Sequence, residues 1–241
     1  LGKRSDTPWR WLADDYDRLR DQIAATNDVE RQRALVAEFF AQYPQMPLVA
    51  DETAVLVVER PAVSSVLLTG DMTNWLQTIP RERLGQTDAW ALVQTFPANA
   101  RLDYRFGVGG SGRDIFNDPR NPNLSPTGFF GGSNTELRMP AYIPPQEVVE
   151  RPDTPRGTLE NLGLYKSTLS NTTHELVVYT PPDYDPAMRY PSVYFQDGDD
   201  YREYADTPTI LDNAISDGIL PPLIAVFVTP SEENGRQDDY N

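Results

Sequence analysis

Apolar residues recur with the period of an α-helix in the first part of the chain. Thr7 and Pro8 are typical of a helix N-cap and first helical position, and the apolar residues after them lie three or four positions apart. These residues are Leu12, Tyr16, Leu19 and Ile23. Asn27, with Glu30 three residues on, resembles a capping box before a second helical run, ERQRALVAEFFAQY. The pattern predicts an N-terminal helical segment over residues 1–48.

From about Asp51 the apolar residues alternate with a period of two. Four short runs rich in Val, Leu, Phe and Tyr, separated by turn residues, have the spacing of an antiparallel sandwich. They are TAVLVVER, SSVLLTG, WALVQTF and LDYRFGV. The pattern predicts a β-sandwich over residues 49–140. The proline-rich stretch that follows predicts a stiff linker over residues 141–160.

The last part of the chain has a third pattern. HELVVYT, SVYFQ and PLIAVFVTP are apolar without strict alternation, and a helical stretch from Ile210 to Ile219 separates the second from the third. Such runs suit strands buried on both faces, and a strand, helix, strand order implies a largely parallel sheet. We expect the N-terminal part of an α/β domain over residues 161–241, with an incomplete sheet. The predicted fold class is a multidomain α+β chain.

Charge and composition exclude several classes of protein. The chain of 241 residues has a formal net charge of −15, which disfavours nucleic acid as a partner because Lys and Arg must neutralise phosphates. The sequence contains no Cys and no run of 18 apolar residues, so it predicts neither a disulfide framework nor a membrane span. Because the chain starts at Leu1 rather than Met, the compartment stays open between cytoplasmic and exported after signal removal.

Two blocks of the sequence carry the residues of a known family. The first block reads VSSVLLTGDMTNWLQTIPRERLGQTDAWALVQTFPANARLDYRFGV, with FNDPRNPNLSP after it. The second comprises VVYTPPDYD, YPSVYFQDGDDY and LIAVFVTPSEENGRQDDYN. Together they resemble the enterochelin esterase family, bacterial serine hydrolases with an early-set immunoglobulin-like domain in front of an α/β-hydrolase domain of the esterase D type. The resemblance implies an immunoglobulin-like sandwich over residues 49–140 and the start of a hydrolase's parallel sheet over residues 161–241.

The loop after SVYFQ is the first candidate site. It consists of Asp197, Gly198, Asp199, Asp200 and Tyr201. The resemblance implies that this loop borders the catalytic pocket, where backbone N–H groups contribute to an oxyanion hole. Gly198 lacks a Cβ and allows a close backbone approach. The alternative is an ordinary strand-to-helix turn in which an Asp caps the next helix.

The catalytic residues of a serine hydrolase are not evident in this sequence. Such an enzyme needs a Ser on a strand-to-helix elbow, usually Gly-x-Ser-x-Gly, followed by an acid and a His. That elbow does not occur here, and Ser111 and Ser133 lie in glycine-rich loops of the predicted sandwich. The single His, His174, lies in the first hydrolase strand, which favours a paired structural role. The resemblance implies that the nucleophile, acid and His follow Asn241, so no residue of this chain is predicted to be catalytic.

Two functions from different classes are compatible with the sequence. The first is the N-terminal portion of an enterochelin-esterase-like serine carboxylic ester hydrolase, whose sandwich shapes the pocket for a small-molecule ester. Arg236 and Tyr240 are its further substrate-binding candidates, and the chain alone is expected to be inactive without a C-terminal hydrolase segment. The second is a carbohydrate-binding module of an envelope protein, in which Trp75 and Trp90 form a sugar platform. The alternating strand around Trp90 favours a core position for that residue, whereas Trp75 follows a turn and is expected to be exposed.

Neither function calls for a metal ion or another cofactor. A third possibility is a scaffold protein whose hydrolase half has lost its site. A homo-oligomer stays open under each of these interpretations.

Overall fold

The chain forms two compact units. The computed structural model describes residues 8–109, 114–126, 132–168, 172–231 and 239, with side chains from residue 14 onward. The first unit is Leu1–Ile143 and the second is Pro144–Asn241. Each unit contains helices and sheets, so the predicted multidomain α+β fold class is confirmed.

Two helices begin the first unit and are joined by a short turn. They are α1, Pro8–Ala24, and α2, Val29–Gln42. Helix α1 starts at Pro8, as predicted. The N-cap of α2 is Asp28, whose Oδ1 accepts hydrogen bonds from Glu30 N at 3.0 Å and Arg31 N at 3.2 Å. The predicted capping box on Asn27 is therefore wrong by one residue, because the carboxylate of its neighbour takes the free helix N–H groups.

Two antiparallel sheets follow the helices. Their strands are β1 Leu48–Ala50, β2 Thr53–Glu59, β3 Val66–Gly70, β4 Ile79–Pro80, β5 Glu82–Arg83, β6 Ala89–Thr95, β7 Arg101–Val108, β8 Asp114–Phe116, β9 Leu124–Pro126 and β10 Ser133–Arg138. One sheet has the order β1-β2-β6-β5, and the other has the order β4-β3-β7-β10-β9 with β8 beside β7. The four predicted strand runs correspond to β2, β3, β6 and β7, so these runs are confirmed as strands, and burial alternates strictly in β3.

Strand β2 is buried on both of its faces. On one face, Leu56 packs with Trp90 in the core between the two sheets. On the other face, Val57 packs with Leu35 and Phe39 of the helix pair. Each buried side chain of this size contributes about 1.5–3 kcal/mol relative to an exposed one. The helices therefore cover one sheet of the sandwich and belong to the same unit as the sandwich.

The second unit contains a mixed four-stranded sheet. Its elements are β11 Thr158–Lys166, β12 Thr173–Thr180, β13 Ser192–Gln196, α3 Gly198–Glu203, α4 Thr207–Ser216 and β14 Ile224–Val228. The strand order is β11-β12-β14-β13, and only the pair β13 and β14 is parallel. The prediction of a largely parallel sheet is thus wrong for the described strands. A helical crossover joins the parallel pair, whereas the short connection from β11 to β12 permits only antiparallel pairing.

Two buried polar side chains of α4 hold the stretch of chain before β11. Asn213, only 1% exposed, donates from Nδ2 to the carbonyl oxygen of Glu147 at 2.8 Å. Asp212 Oδ1 accepts hydrogen bonds from Tyr179 Oη at 2.7 Å and from Gly157 N at 2.8 Å. Burial, followed by the hydrogen bond to Asp212, raises the pKa of Tyr179 far above its usual value, so the phenol remains a donor. Much of the predicted linker, residues 141–160, is therefore tied to α4.

Gln32 holds the turn between α1 and α2 against the hairpin between β5 and β6. Its side chain is 4% exposed, and its Nε2 donates to Thr26 O at 2.7 Å and to Ile23 O at 3.2 Å. Its Oε1 accepts a hydrogen bond from Gln86 N at 2.9 Å. One amide therefore satisfies backbone groups of two elements that are far apart in sequence.

We expect Gln32→Ala to lower the free energy of unfolding of the first unit by about 1–3 kcal/mol, because it leaves buried backbone groups without partners. All four Trp residues lie in this unit, so urea unfolding followed by tryptophan fluorescence measures the change. The control is Gln22→Ala, at an exposed position of α1, which should change the free energy by less than about 0.5 kcal/mol. Equal unfolding midpoints for the two variants would contradict the assigned role of Gln32.

Candidate functional site

The predicted pocket loop is a tight turn from β13 into α3. Asp197 is the single residue between the two elements, and it has the left-handed conformation with φ 57° and ψ 47°. That conformation costs a non-glycine residue about 1–2 kcal/mol, and Asp is among the residues that tolerate it. Asp197 also holds the N-cap position of α3. The turn lies at the carboxyl end of a parallel strand, where open α/β sheets bind their ligands.

Gly198 explains why the turn needs a glycine. A Cβ at this position would lie 2.5 Å from Val228 N and 2.6 Å from the carbonyl carbon of Phe227. Every other amino acid has a Cβ, and a Cβ does not approach backbone atoms this closely. The position therefore requires glycine, and the first turn of α3 packs directly on the backbone of β14. The close backbone approach predicted for Gly198 is therefore made to a neighbouring strand.

Side chains of α3 add further contacts around the loop. Asp199 forms an ion pair with Arg202, one helical turn later. The ring of Tyr201 packs on Phe195 of β13 with 5.0 Å between the ring centroids. The carbonyl oxygen of Tyr201 accepts a hydrogen bond from Thr207 Oγ1 at 2.8 Å. The turn is thus held by β13 before it, by β14 beside it and by α4 after it.

A second polar cluster follows the carboxyl end of β14. Asp239 accepts hydrogen bonds from Ser231 N at 2.6 Å and from Ser231 Oγ at 2.8 Å. Burial works to raise the pKa of Asp239, but the two bonds from Ser231 and the nearby His174 outweigh it, and the pKa lies below the usual value. The carboxylate is therefore charged and already engaged within the chain.

His174 has partners on both ring nitrogens. Nδ1 lies 3.0 Å from Thr229 O, so this nitrogen must carry the proton, and Nε2 lies 2.7 Å from Thr172 Oγ1. The imidazole thus links the start of β12 to the end of β14. The predicted pairing of His174 is therefore confirmed, and its structural role stays a prediction.

Four other predicted or considered residues do not lie in this turn. Arg236, Tyr240 and Ser111 lie outside the described residues. Ser133 begins β10 of the first unit, and its Oγ accepts a hydrogen bond from Asn117 Nδ2 at 3.0 Å. It therefore occupies an antiparallel strand and not a strand-to-helix elbow.

Trp75 lies in the turn after β3 and is partly exposed. Its indole Nε1 donates to Asp71 Oδ1 at 2.8 Å, and Asp71 Oδ2 accepts from Asp103 N at 2.8 Å. Asn74 and Trp75 both have left-handed backbone, with φ of 50° and 60°, which is rare for a bulky residue. The side chain is 39% exposed, whereas Trp90 is 4% exposed and lies in the core, as predicted.

The hydrogen bonds that fix Trp75 through Asp71 could not be predicted from the sequence. Asp103 follows Asp71 by 32 residues, and its backbone N–H reaches the turn only because β3 and β7 are paired. Gly70 gave the only local signal. A Cβ on it would lie 2.3 Å from Asp103 O, so the start of the turn must approach β7 closely.

The described part of the chain contains neither a candidate metal site nor a candidate membrane-spanning helix. Among these residues, no three His, Asp or Glu side chains are grouped so as to hold a metal ion. No helix there combines the length and the apolar character needed to cross a membrane.

Comparison with known proteins indicates the class to which the second unit is related. Residues 167–241 match the family described as "Putative esterase". This segment contains β12, β13, β14 and the turn with Gly198. No curated protein sequence matches the chain.

The fold is similar to those of solved enterobactin esterases. The enzyme from Shigella flexneri, solved in the presence of enterobactin, is 20% identical with a TM-score of 0.57, and the match covers 76% of this chain and 54% of that one. The ferric enterobactin esterase from Salmonella typhimurium is 15% identical with a TM-score of 0.61, covering 78% of this chain and 58% of that one. The chain thus spans just over half the length of these structures, and the predicted resemblance to enterochelin esterases is confirmed at the level of the fold.

We expect Gly198→Ala to open the second unit locally, because a methyl group cannot fit beside the backbone of β14. Hydrogen exchange measured by mass spectrometry should show protection of the β14 amides reduced by roughly tenfold or more, the equivalent of about 1.4 kcal/mol or more.

The matched control is Gly218→Ala. Gly218 lies just after α4 in the same unit and has φ 69°, and apart from its own residue and its chain neighbours no atom lies within 4 Å of the position that an added methyl group would occupy. This variant carries only the backbone cost of a left-handed alanine, about 1–2 kcal/mol, and it should not selectively open β14. Wild-type protection of β14 in Gly198→Ala would disprove the packing role.

Proposed function

We propose that the second unit is the first part of the α/β-hydrolase domain of an enterochelin-esterase-like serine carboxylic ester hydrolase. The first unit is then an early-set immunoglobulin-like sandwich that shapes the substrate pocket. The observation that carries the proposal is the strained turn at Asp197 and Gly198, at the carboxyl end of a parallel strand and within the segment that matches the esterase family. The catalytic Ser, acid and His would follow residue 241.

The turn has the properties that an oxyanion site requires. Backbone N–H groups stabilise a tetrahedral intermediate only if they are fixed before the reaction, and one such donor is worth about 3–4 kcal/mol. The left-handed Asp197 and the contact of Gly198 with β14 fix the peptide groups at the start of α3. In α/β-hydrolases a loop after an early strand supplies one of these N–H groups. We therefore assign that role to the loop from Asp197 to Tyr201.

The two faces of the mixed sheet support the same proposal. Phe195 and Phe227 stack at 5.1 Å on the face that Leu211 of α4 covers. On the opposite face, Tyr194 is 64% exposed and Val226 is only partly buried. Parallel α/β sheets are ordinarily covered by helices on both faces. A hydrolase domain that continues after residue 241 would supply the second layer.

The substrate we propose is a small carboxylic ester without a large negative charge. The net charge of −15 produces a field that disfavours a polyanion such as a triscatecholate iron complex. Arg236 and Tyr240 stay the candidates for contact with the acyl or leaving group, on the resemblance alone.

The test compares residues 1–241 with the longer product of the same gene. We expect the longer protein to hydrolyse p-nitrophenyl acetate and butyrate, because acyl transfer needs the complete triad. Residues 1–241 alone should give no turnover above buffer. Replacing the elbow Ser of the longer protein by Ala should reduce kcat at least about a thousandfold. Turnover by residues 1–241 would refute the placement of the triad.

We propose carbohydrate binding at Trp75 as the second candidate function. It is favoured by a partly exposed indole whose N–H is fixed by Asp71. A rigid aromatic face presents apolar area to a pyranose ring without a large loss of side-chain entropy. The left-handed backbone of Trp75 adds a local cost, and such strain is commonly retained at ligand-binding positions.

This second function predicts that Trp75→Ala weakens binding of soluble glycogen by roughly tenfold, because the stacking surface is lost. Isothermal titration calorimetry measures the affinity. Leu76→Ala is the control, since Leu76 is the adjacent residue and is 89% exposed, and it should bind as the wild type does. Equal loss in both variants, or no glycogen binding by the wild type, would remove the carbohydrate-binding hypothesis.

A further inference from the structure

Helix α3 is too short to hold the pocket loop by itself. It has six residues, Gly198–Glu203, and isolated helices of this length are unstable because nucleation is costly. The contact of Gly198 with β14 fixes its start, and the hydrogen bond from Thr207 Oγ1 to Tyr201 O fixes its end. The first turn between these points carries the peptide groups assigned to the oxyanion site.

Arg202 spans that first turn. Its guanidinium Nη2 donates to Asp199 Oδ1, so the side chain runs back toward the start of the helix. The Arg202 side chain is 22% exposed and that of Asp199 is 35% exposed. An ion pair at this depth is less screened than a surface pair, and the loss of one partner leaves the other charge uncompensated.

The contact is also made at a local cost. Arg202 Nε is buried and has no hydrogen-bond partner among the described residues, although a buried unpaired donor is unfavourable. Costs of this kind concentrate at positions where function dictates geometry. The left-handed Asp197 lies in the same turn. The unpaired Nε of Arg202 and the left-handed backbone of Asp197 are both unfavourable, and their occurrence in one short stretch indicates that function requires this loop conformation.

We infer that Arg202 is a positioning residue, which holds the first turn of α3 through Asp199 and so keeps the backbone N–H groups of the pocket loop in place. This inference rests on the proposed hydrolase function. Arg202 acts through Asp199 and through the helix backbone, and it needs no contact with the ester. Its loss should therefore affect the chemical step more than substrate binding.

The first experiment measures esterase kinetics in the longer gene product. Arg202→Met should lower kcat for p-nitrophenyl butyrate roughly tenfold while KM changes less than about twofold. The reason is that a backbone N–H donor to the oxyanion stabilises the transition state more than the bound substrate, so its displacement affects mainly kcat. Arg202→Lys, which keeps the charge, should recover most of kcat. The double variant Asp199→Asn with Arg202→Met should be less impaired than Arg202→Met, since no unpaired carboxylate remains. The matched control is Arg189→Met, at an exposed position of the same unit.

The second experiment does not depend on activity. In residues 1–241, the amides of Tyr201 and Tyr204, which donate to Asp197 O and Asp200 O, should exchange roughly tenfold faster in Arg202→Met than in Arg189→Met. Wild-type exchange and wild-type kcat in Arg202→Met would overturn the inference while the hydrolase proposal stands. Absence of esterase activity in the wild type would overturn the hydrolase proposal, and with it the inference that the loop is held for catalysis, whatever the exchange result.

Discussion

The contact between Gly198 and the backbone of β14 is the constraint on which the candidate hydrolase site depends. The parallel pair of β13 and β14 must be joined by a crossover, and the crossover begins with a turn of one residue. A side chain at Gly198 would push α3 away from the sheet. The left-handed Asp197, the ion pair of Arg202 and the packing of Tyr201 on Phe195 lie within the same short stretch and hold α3 in that close approach.

The sequence predicted those features that depend on neighbouring residues. The alternation in β3 and β7, the burial of Trp90 and the start of α1 at Pro8 could all be inferred from local patterns. Which strands pair with each other, and in which direction, could not be inferred from local patterns. An apolar run such as that of β12 has the same composition in a parallel and in an antiparallel pair, so strand direction had to be assumed from element order.

The candidate sites show the same division between local and distant information. The Asp-Gly turn after β13 and the exposed Trp75 were recognisable from short motifs, and both are placed by the structure in strained turns. The contacts that hold these two turns in place could not be predicted from the sequence. Asp103 lies 32 residues from Asp71, and the methyl-excluding backbone at Gly198 belongs to Phe227 and Val228. Contacts across such separations leave no periodic signal, because each one depends on how strands are paired.

The hydrogen bonds from α4 to the stretch before β11 have a practical consequence for dissecting the chain. Asn213 holds the carbonyl oxygens of Glu147 and Val149, and Asp212 holds Gly157 N. A truncated chain that begins at residue 161 would lack all three backbone groups. The buried side chains of Asn213 and Asp212 would then lose these hydrogen-bond partners. A fragment designed to contain only the second unit should therefore begin no later than Pro144, although the proline-rich sequence that follows is typical of a linker.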